Sequence, residues 1–125
     1  MKTKRTNRRG KMRKVVINSA HGGFGLSHEG VMEYARLKGC VIYAKEIRRC
    51  EKDSWTYTDA DGEYWHCYDI PRDDPTLVQV VELLSKDAND NVSELKVVEI
   101  PDDVEWQIEE YDGVEWVAEK HRRWS

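Results

Sequence analysis

Residues 15–30, Val-Val-Ile-Asn-Ser-Ala-His-Gly-Gly-Phe-Gly-Leu-Ser-His-Glu-Gly, run from a β-branched apolar stretch through three close glycines into the opening of a helix. Val15–Asn18 reads as a short, buried first strand. Ser27 fits an N-cap with Glu29 in the first turn. Val31, Tyr34 and Ala35 share one helical face, and Gly39 supplies the stop. Cys40–Lys45 reads as a second strand. This is the order of a βαβ unit, in which the two strands would run parallel.

Working outward, Trp55–Thr58 and Glu63–Tyr68 flank Asp59-Ala-Asp-Gly62, the pattern of a hairpin that Pro71 then breaks. Asp74-Pro75 is a cap followed by proline at the first helical position. Leu77, Val80, Val81 and Leu84 follow at helical spacing, giving an amphipathic helix to about Asp87. Ala88-Asn-Asp-Asn91 is a polar loop, and Leu95–Ile100 is a strand ended by Pro101. Val104, Trp106 and Ile108 alternate with polar residues, Tyr111-Asp112-Gly113 turns the chain, and Val114, Trp116 and Ala118 resume the alternation. Val114, Val117, Ala118 and His121 would also suit a helix. The sum is an α+β fold: a single domain over residues 14–125, with a mixed β-sheet, two helices and two β-hairpins. A disordered basic arm, residues 1–13, precedes it.

Charge is divided unevenly along the 125 residues. The formal net charge is −4, but residues 1–14 hold eight of the 20 Lys and Arg and no acid, leaving 12 bases against 24 acids in the rest. A cationic arm is joined to an anionic body. Arg5, Arg8, Arg9, Lys11 and Arg13 could neutralise nucleic-acid phosphates, although the arm has no aromatic residue for base stacking. No apolar stretch approaches the roughly 18 residues of a membrane span, and Val15-Val16-Ile17 is too short for a secretory core. Cys40, Cys50 and Cys67 are odd in number and lack CxxC spacing, which fits buried, inert thiols in a reducing compartment. The expected location is the cytoplasm.

Two places draw a binding hypothesis. The glycine turn can aim backbone N–H groups at an anion, aided by a helix N-terminus. Asn18, His21, Gly22, Gly23, Gly25, Ser27 and His28 would line it, with Arg72 as an added cation, and a small phosphate-bearing ligand would fill it. The spacing is neither GxGxxG nor GxxxxGK[ST]. The same glycines also suit a sharp strand-to-helix corner in which Phe24 plugs the core. The second place is the stretch Val97 to Glu119, with nine acids and no Lys or Arg. There Glu105, Trp106, Glu109, Tyr111, Glu115 and Trp116 could form an anionic, aromatic face for a basic partner protein, or an ordinary hairpin with aromatics inward and acids outward. His66 and Cys67, adjacent on the expected strand, would face opposite ways. No histidine or cysteine spacing matches a metal signature, so no metal or cofactor is expected. Ser19, Ser27, the cysteines and Asp73-Asp74 show no elbow, triad order or carboxylate pair, and the reading leans to binding without catalysis. Five tryptophans in a chain this size admit a homodimer with some of them at its interface.

Three segments taken together carry a resemblance: Lys14–Ser27 (KVVINSAHGGFGLS), Ile70–Leu84 (IPRDDPTLVQVVELL) and Leu95–Trp124 (LKVVEIPDDVEWQIEEYDGVEWVAEKHRRW). They resemble a family of small accessory proteins encoded by bacteriophages and prophages. The resemblance implies action in the host cytoplasm and brings no catalytic residues. It also implies that chains of this family begin near the KVVIN strand, making residues 1–11 an extension, and that residues of about 40–69 adapt one face.

Overall fold

The structure, a computed structural model, describes residues 11–49 and 52–119. Arg5, Arg8, Arg9, Cys50 and the segment 120–125 lie outside the described residues. Strand β1 (Met12–Asn18) opens the fold and helix α1 (His28–Lys38) follows the glycine turn. Next come β2 (Ile42–Arg49), β3 (Lys52–Asp59) and helix α2 (Pro75–Leu84). Strands β4 (Leu95–Pro101), β5 (Trp106–Tyr111) and β6 (Val114–Glu119) complete it. The fold is α+β.

The strands do not form the expected mixed sheet. They make three antiparallel pairs, β1 with β4, β2 with β3 and β5 with β6. The βαβ expectation therefore fails: α1 leads away from β1, and β2 pairs antiparallel with its immediate neighbour β3. The physical reason lies on the open edge of β1. There the Val16 N–H donates to the Arg72 carbonyl at 2.8 Å, and the Asn18 N–H donates to the Glu115 carboxylate at 3.0 Å. A loop carbonyl and a side chain take the groups that a parallel strand would have used. Val15, Val16 and Ile17 are buried on both faces of this short ladder.

Both helices begin as their sequences require, and α1 also ends so. Ser27 Oγ accepts the Gly30 N–H at 3.0 Å, and Gly39 closes α1 in the left-handed region at φ 78°. Asp74 accepts the Thr76 N–H at 2.8 Å, with Pro75 at the first helical position. Helix α2 stops at Leu84 and a 3-10 turn, Ser85–Ala88, carries the chain on, so the α-helix is shorter than its apolar pattern suggests. Val31 and Tyr34 of α1 meet Leu77, Val80 and Val81 of α2 in a core shared with Val16 and Ile70. Leu77 and Val80 are fully buried, each worth about 1.5–3 kcal/mol against exposure. The Tyr34 hydroxyl donates to Asp74 Oδ2 at 2.7 Å, locking α1 to the cap of α2.

The Asp59–Gly62 turn forms as read: the Asp59 carboxylate accepts the N–H groups of Asp61 and Glu63. Its return strand is short. It survives as a bridge between Thr58 and Tyr64 and a bond from the Trp65 N–H to the Tyr57 carbonyl. Cys67 lies in a 3-10 turn, Cys67–Asp69, and not on a strand. Cys40 is exposed, against the expectation of a buried thiol. The final hairpin is a pair of strands, not a helix. Asp112 and Gly113 both take positive φ, as a two-residue turn of primed type demands. Among the described residues no helix is long and apolar enough to cross a membrane.

Candidate functional site

The glycine turn is packed by the protein itself. A Cβ at Gly22 would collide with Val92, and one at Gly25 with the carboxylate of Asp90. Only Gly23, at φ 93°, faces open space. Across the turn, Gly113 presses so closely on the His21 carbonyl that no side chain would fit there. Asp90 is held by the N–H groups of Val92 and Ser93, which fixes a negative charge beside Gly25. That charge opposes an incoming anion.

The side chains around the turn are spent within the fold. Asn18 is fully buried. Its amide donates to the carbonyls of Ala20 and Gly113 at 2.6 and 2.7 Å, and its oxygen accepts the Glu94 N–H at 2.8 Å. The Ser27 hydroxyl caps α1 and also donates to the Asp87 carbonyl at 2.6 Å. Arg72 lies 3.6 Å above the Phe24 ring and pairs with Glu115 at 2.9 Å. Among the described residues its Nε finds no hydrogen-bond partner. His21 is exposed, 3.4 Å from Asp112. His28 points elsewhere: its ring stacks on Trp55 at 3.7 Å, and its Nδ1 lies 3.0 Å from the Tyr57 hydroxyl. The structure thus gathers Asn18, Gly22, Gly23, Gly25 and Arg72 but not the two histidines. It adds Glu115, which sequence placed on the other candidate surface.

On the final hairpin, Glu115 is buried and so faces away from any partner. Trp106, Ile108 and Val117 share its face of the ribbon. The opposite face carries Glu109 directly across from Trp116, with Tyr111 beside them, and both aromatics are exposed. Glu105 lies with Arg13, Asp102, Asp103 and Trp106 around an open recess. Arg13 belongs to β1 rather than to an arm, and it pairs with Asp73 at 3.0 Å and Asp102 at 3.1 Å. Lys11 is exposed.

A second group of exposed aromatics lies where the sequence reading expected a hairpin and named no binding residue. Tyr43, Trp55, Tyr64 and Tyr68 are 60%, 38%, 72% and 58% exposed. Trp55 and Tyr64 join Thr56, Tyr57, Trp65 and His66 around a cavity of about 330 Å³, whereas Tyr43 stands on the other face of the ribbon, across from Thr58. Behind it Tyr57 meets Trp65 edge to face at 6.2 Å, and His66 stacks on Tyr68 at 4.9 Å. Burial, aided by the nearby Cys67, pushes the Tyr57 hydroxyl up to about 12, so it stays protonated at neutral pH. Burial likewise raises the Cys67 thiol. The available signal was density: five of the 14 residues from Trp55 to Tyr68 are Trp or Tyr.

No nucleophile is set against a base in this arrangement. Among the described residues, His28 bonds to Tyr57, His21 lies near Asp112 and His66 stacks on Tyr68, and no three His, Cys, Asp or Glu side chains converge as a metal site. Compared with known protein families, with curated proteins and with solved structures, the chain finds no match.

Proposed function

We propose that this chain is a non-catalytic binding protein that grips another protein through the exposed rings of Trp55 on β3 and of Tyr64 and Tyr68 in residues 63–68. The carrying observation is the set Trp55, Tyr64 and Tyr68, large amphipathic rings left exposed, of which Trp55 and Tyr64 line one cavity. Interface anchors are enriched in such rings because each buries a large area with few rotatable bonds. Following the resemblance to phage accessory proteins, the partner is a protein of the host cytoplasm. The small-anion reading ranks below this one, because Asn18, Ser27 and most of Arg72 are committed within the fold and Asp90 adds a negative charge to the turn.

Quantitative capture from host lysate tests the proposal. Immobilised wild-type chain should enrich a discrete partner that Tyr64→Ala/Tyr68→Ala loses and Tyr111→Ala/Trp116→Ala keeps. Retention by the first variant refutes the proposal. The reverse pattern supports a second reading, favoured by the exposed Tyr111 and Trp116 beside Glu109, in which the outer face of β5–β6 takes a basic partner. Nucleotide-dependent thermal shifts that vanish in Gly23→Val would instead restore the glycine turn.

A further inference from the structure

The outer edge of β2 is bare: among the described residues no segment pairs with it. Its polarity follows from the far side of the ribbon. There the Tyr57 carbonyl accepts the Trp65 N–H, and the Asp59 N–H donates to the Glu63 carbonyl. Both residues therefore direct their backbone groups away from β2. Ala44 and Ile42, directly opposite them, must direct theirs the other way, onto the bare edge, and by alternation so must Glu46. The eight-residue strand contains no proline, and among the described strands only β3 pairs with it. Val41 and Tyr43 stand exposed beside it. A two-stranded ribbon alone is marginal in water, and bare edges of this length are ordinarily blocked.

We propose that β2 pairs antiparallel with β2 of a second copy, about a two-fold axis passing through Ala44. The result is a four-stranded sheet in the order β3-β2-β2-β3. A two-fold axis normal to a sheet keeps each side chain on its own face, so directly opposed residue numbers must have an even sum. Centring on Lys45 or Glu46 sets like charges face to face. Centring on Tyr43 leaves only residues 42–44 of the strand paired. Centring on Ala44 pairs residues 42–46 and puts the smallest side chain on the axis. Tyr43 then faces Lys45 of the second copy, Ile42 faces Glu46, and Val41 faces Ile47. Each Ala44 N–H donates to the Ala44 carbonyl of the other copy. The edge is self-complementary in hydrogen bonding, and this register sets no like charges face to face. The dimer does not depend on the partner surface proposed above, and it would set two such surfaces on one sheet.

Sedimentation velocity on purified chain from about 1 to about 200 µM tests this, since dimerisation follows mass action. The expected result is twice the chain mass at the upper end, falling to one on dilution. Ala44→Pro removes an N–H that β3 does not use, a position where an edge strand tolerates proline. That variant should keep the native circular dichroism and be monomeric throughout. Should it fail to fold, oxidised Ala44→Cys decides: peptide mapping should find a 44–44 disulfide between copies, and Lys45→Cys should give no 45–45 link. A wild-type monomer at every concentration, an Ala44→Pro dimer, or a 45–45 link overturns the proposal.

Discussion

Glu115→Gln probes the buried linkage that joins β6, β1 and the loop before α2. One carboxylate oxygen accepts the Asn18 N–H at 3.0 Å and the other accepts from Arg72 at 2.9 Å. Glu115 and Arg72 side chains are only 9% and 16% exposed. Removing one partner from a buried pair costs about 3–5 kcal/mol, because the remaining charge keeps its desolvation penalty. Glutamine still offers a carbonyl to Asn18, and Arg72 keeps its stack on Phe24, so the low end applies. A loss of about 3 kcal/mol, at a urea slope of about 1.5 kcal/mol/M, lowers the unfolding midpoint by about 2 M. Tryptophan fluorescence reads that midpoint directly. The double variant Arg72→Met/Glu115→Gln leaves no buried charge and should be more stable than Glu115→Gln alone. A cost below about 1 kcal/mol, or simple additivity in the double variant, would refute the linkage.

Burial pushes the Asp74 carboxyl up, but bonds from Tyr34, Lys38 and Thr76 outweigh it and hold the group below its ordinary range. The stability it contributes is therefore complete above the unfolded carboxylate range and lost as pH falls through its folded value. Urea midpoints measured from about pH 6 to about pH 2 should fall more steeply for wild type than for Asp74→Asn, and equal slopes would sink the assignment. Gly23→Ala should cost about 1 kcal/mol for its left-handed backbone. Gly113→Ala should cost at least about 3 kcal/mol, since its Cβ also meets the His21 carbonyl; equal costs in denaturant titration would refute the close approach. Brief alkylation near pH 8 should label exposed Cys40 well before Cys67, whose thiol is raised by burial, as peptide mass spectrometry can follow.

What was legible in the sequence is what local chemistry controls. Ser27 and Gly39, and Asp74 with Pro75, mark helix starts or stops through bonds made within a few residues. Asp112-Gly113 specifies a tight turn for the same reason. The pairing of strands was not legible, because β1 meets β4 some 80 residues later and nothing in Val15–Ile17 names that partner. Nor was the fate of the glycines, which depends on Val92, Asp90 and the 112–113 turn arriving against them. Glu115 looked like one more surface acid in an acidic stretch until its register placed it opposite Glu110 on the inward face. The rings from Trp55 to Tyr68 read only as the flanks of a hairpin, since an aromatic on a short strand carries no mark of which side meets water.

The bonds of Asn18 also set an order of events during synthesis. Its backbone and side-chain amides find their acceptors on Glu115 and Gly113, 97 and 95 residues later in the chain. At about 5–20 residues per second, a ribosome needs roughly 5–20 s to supply them after Asn18 itself. Through that interval β1 can join β4 only with a buried polar residue left open. A nascent or prematurely stopped chain lacking residues 113–115 would therefore expose an incomplete core to chaperones and proteases. Asn18 makes the native state contingent on a chain read through the β5–β6 hairpin.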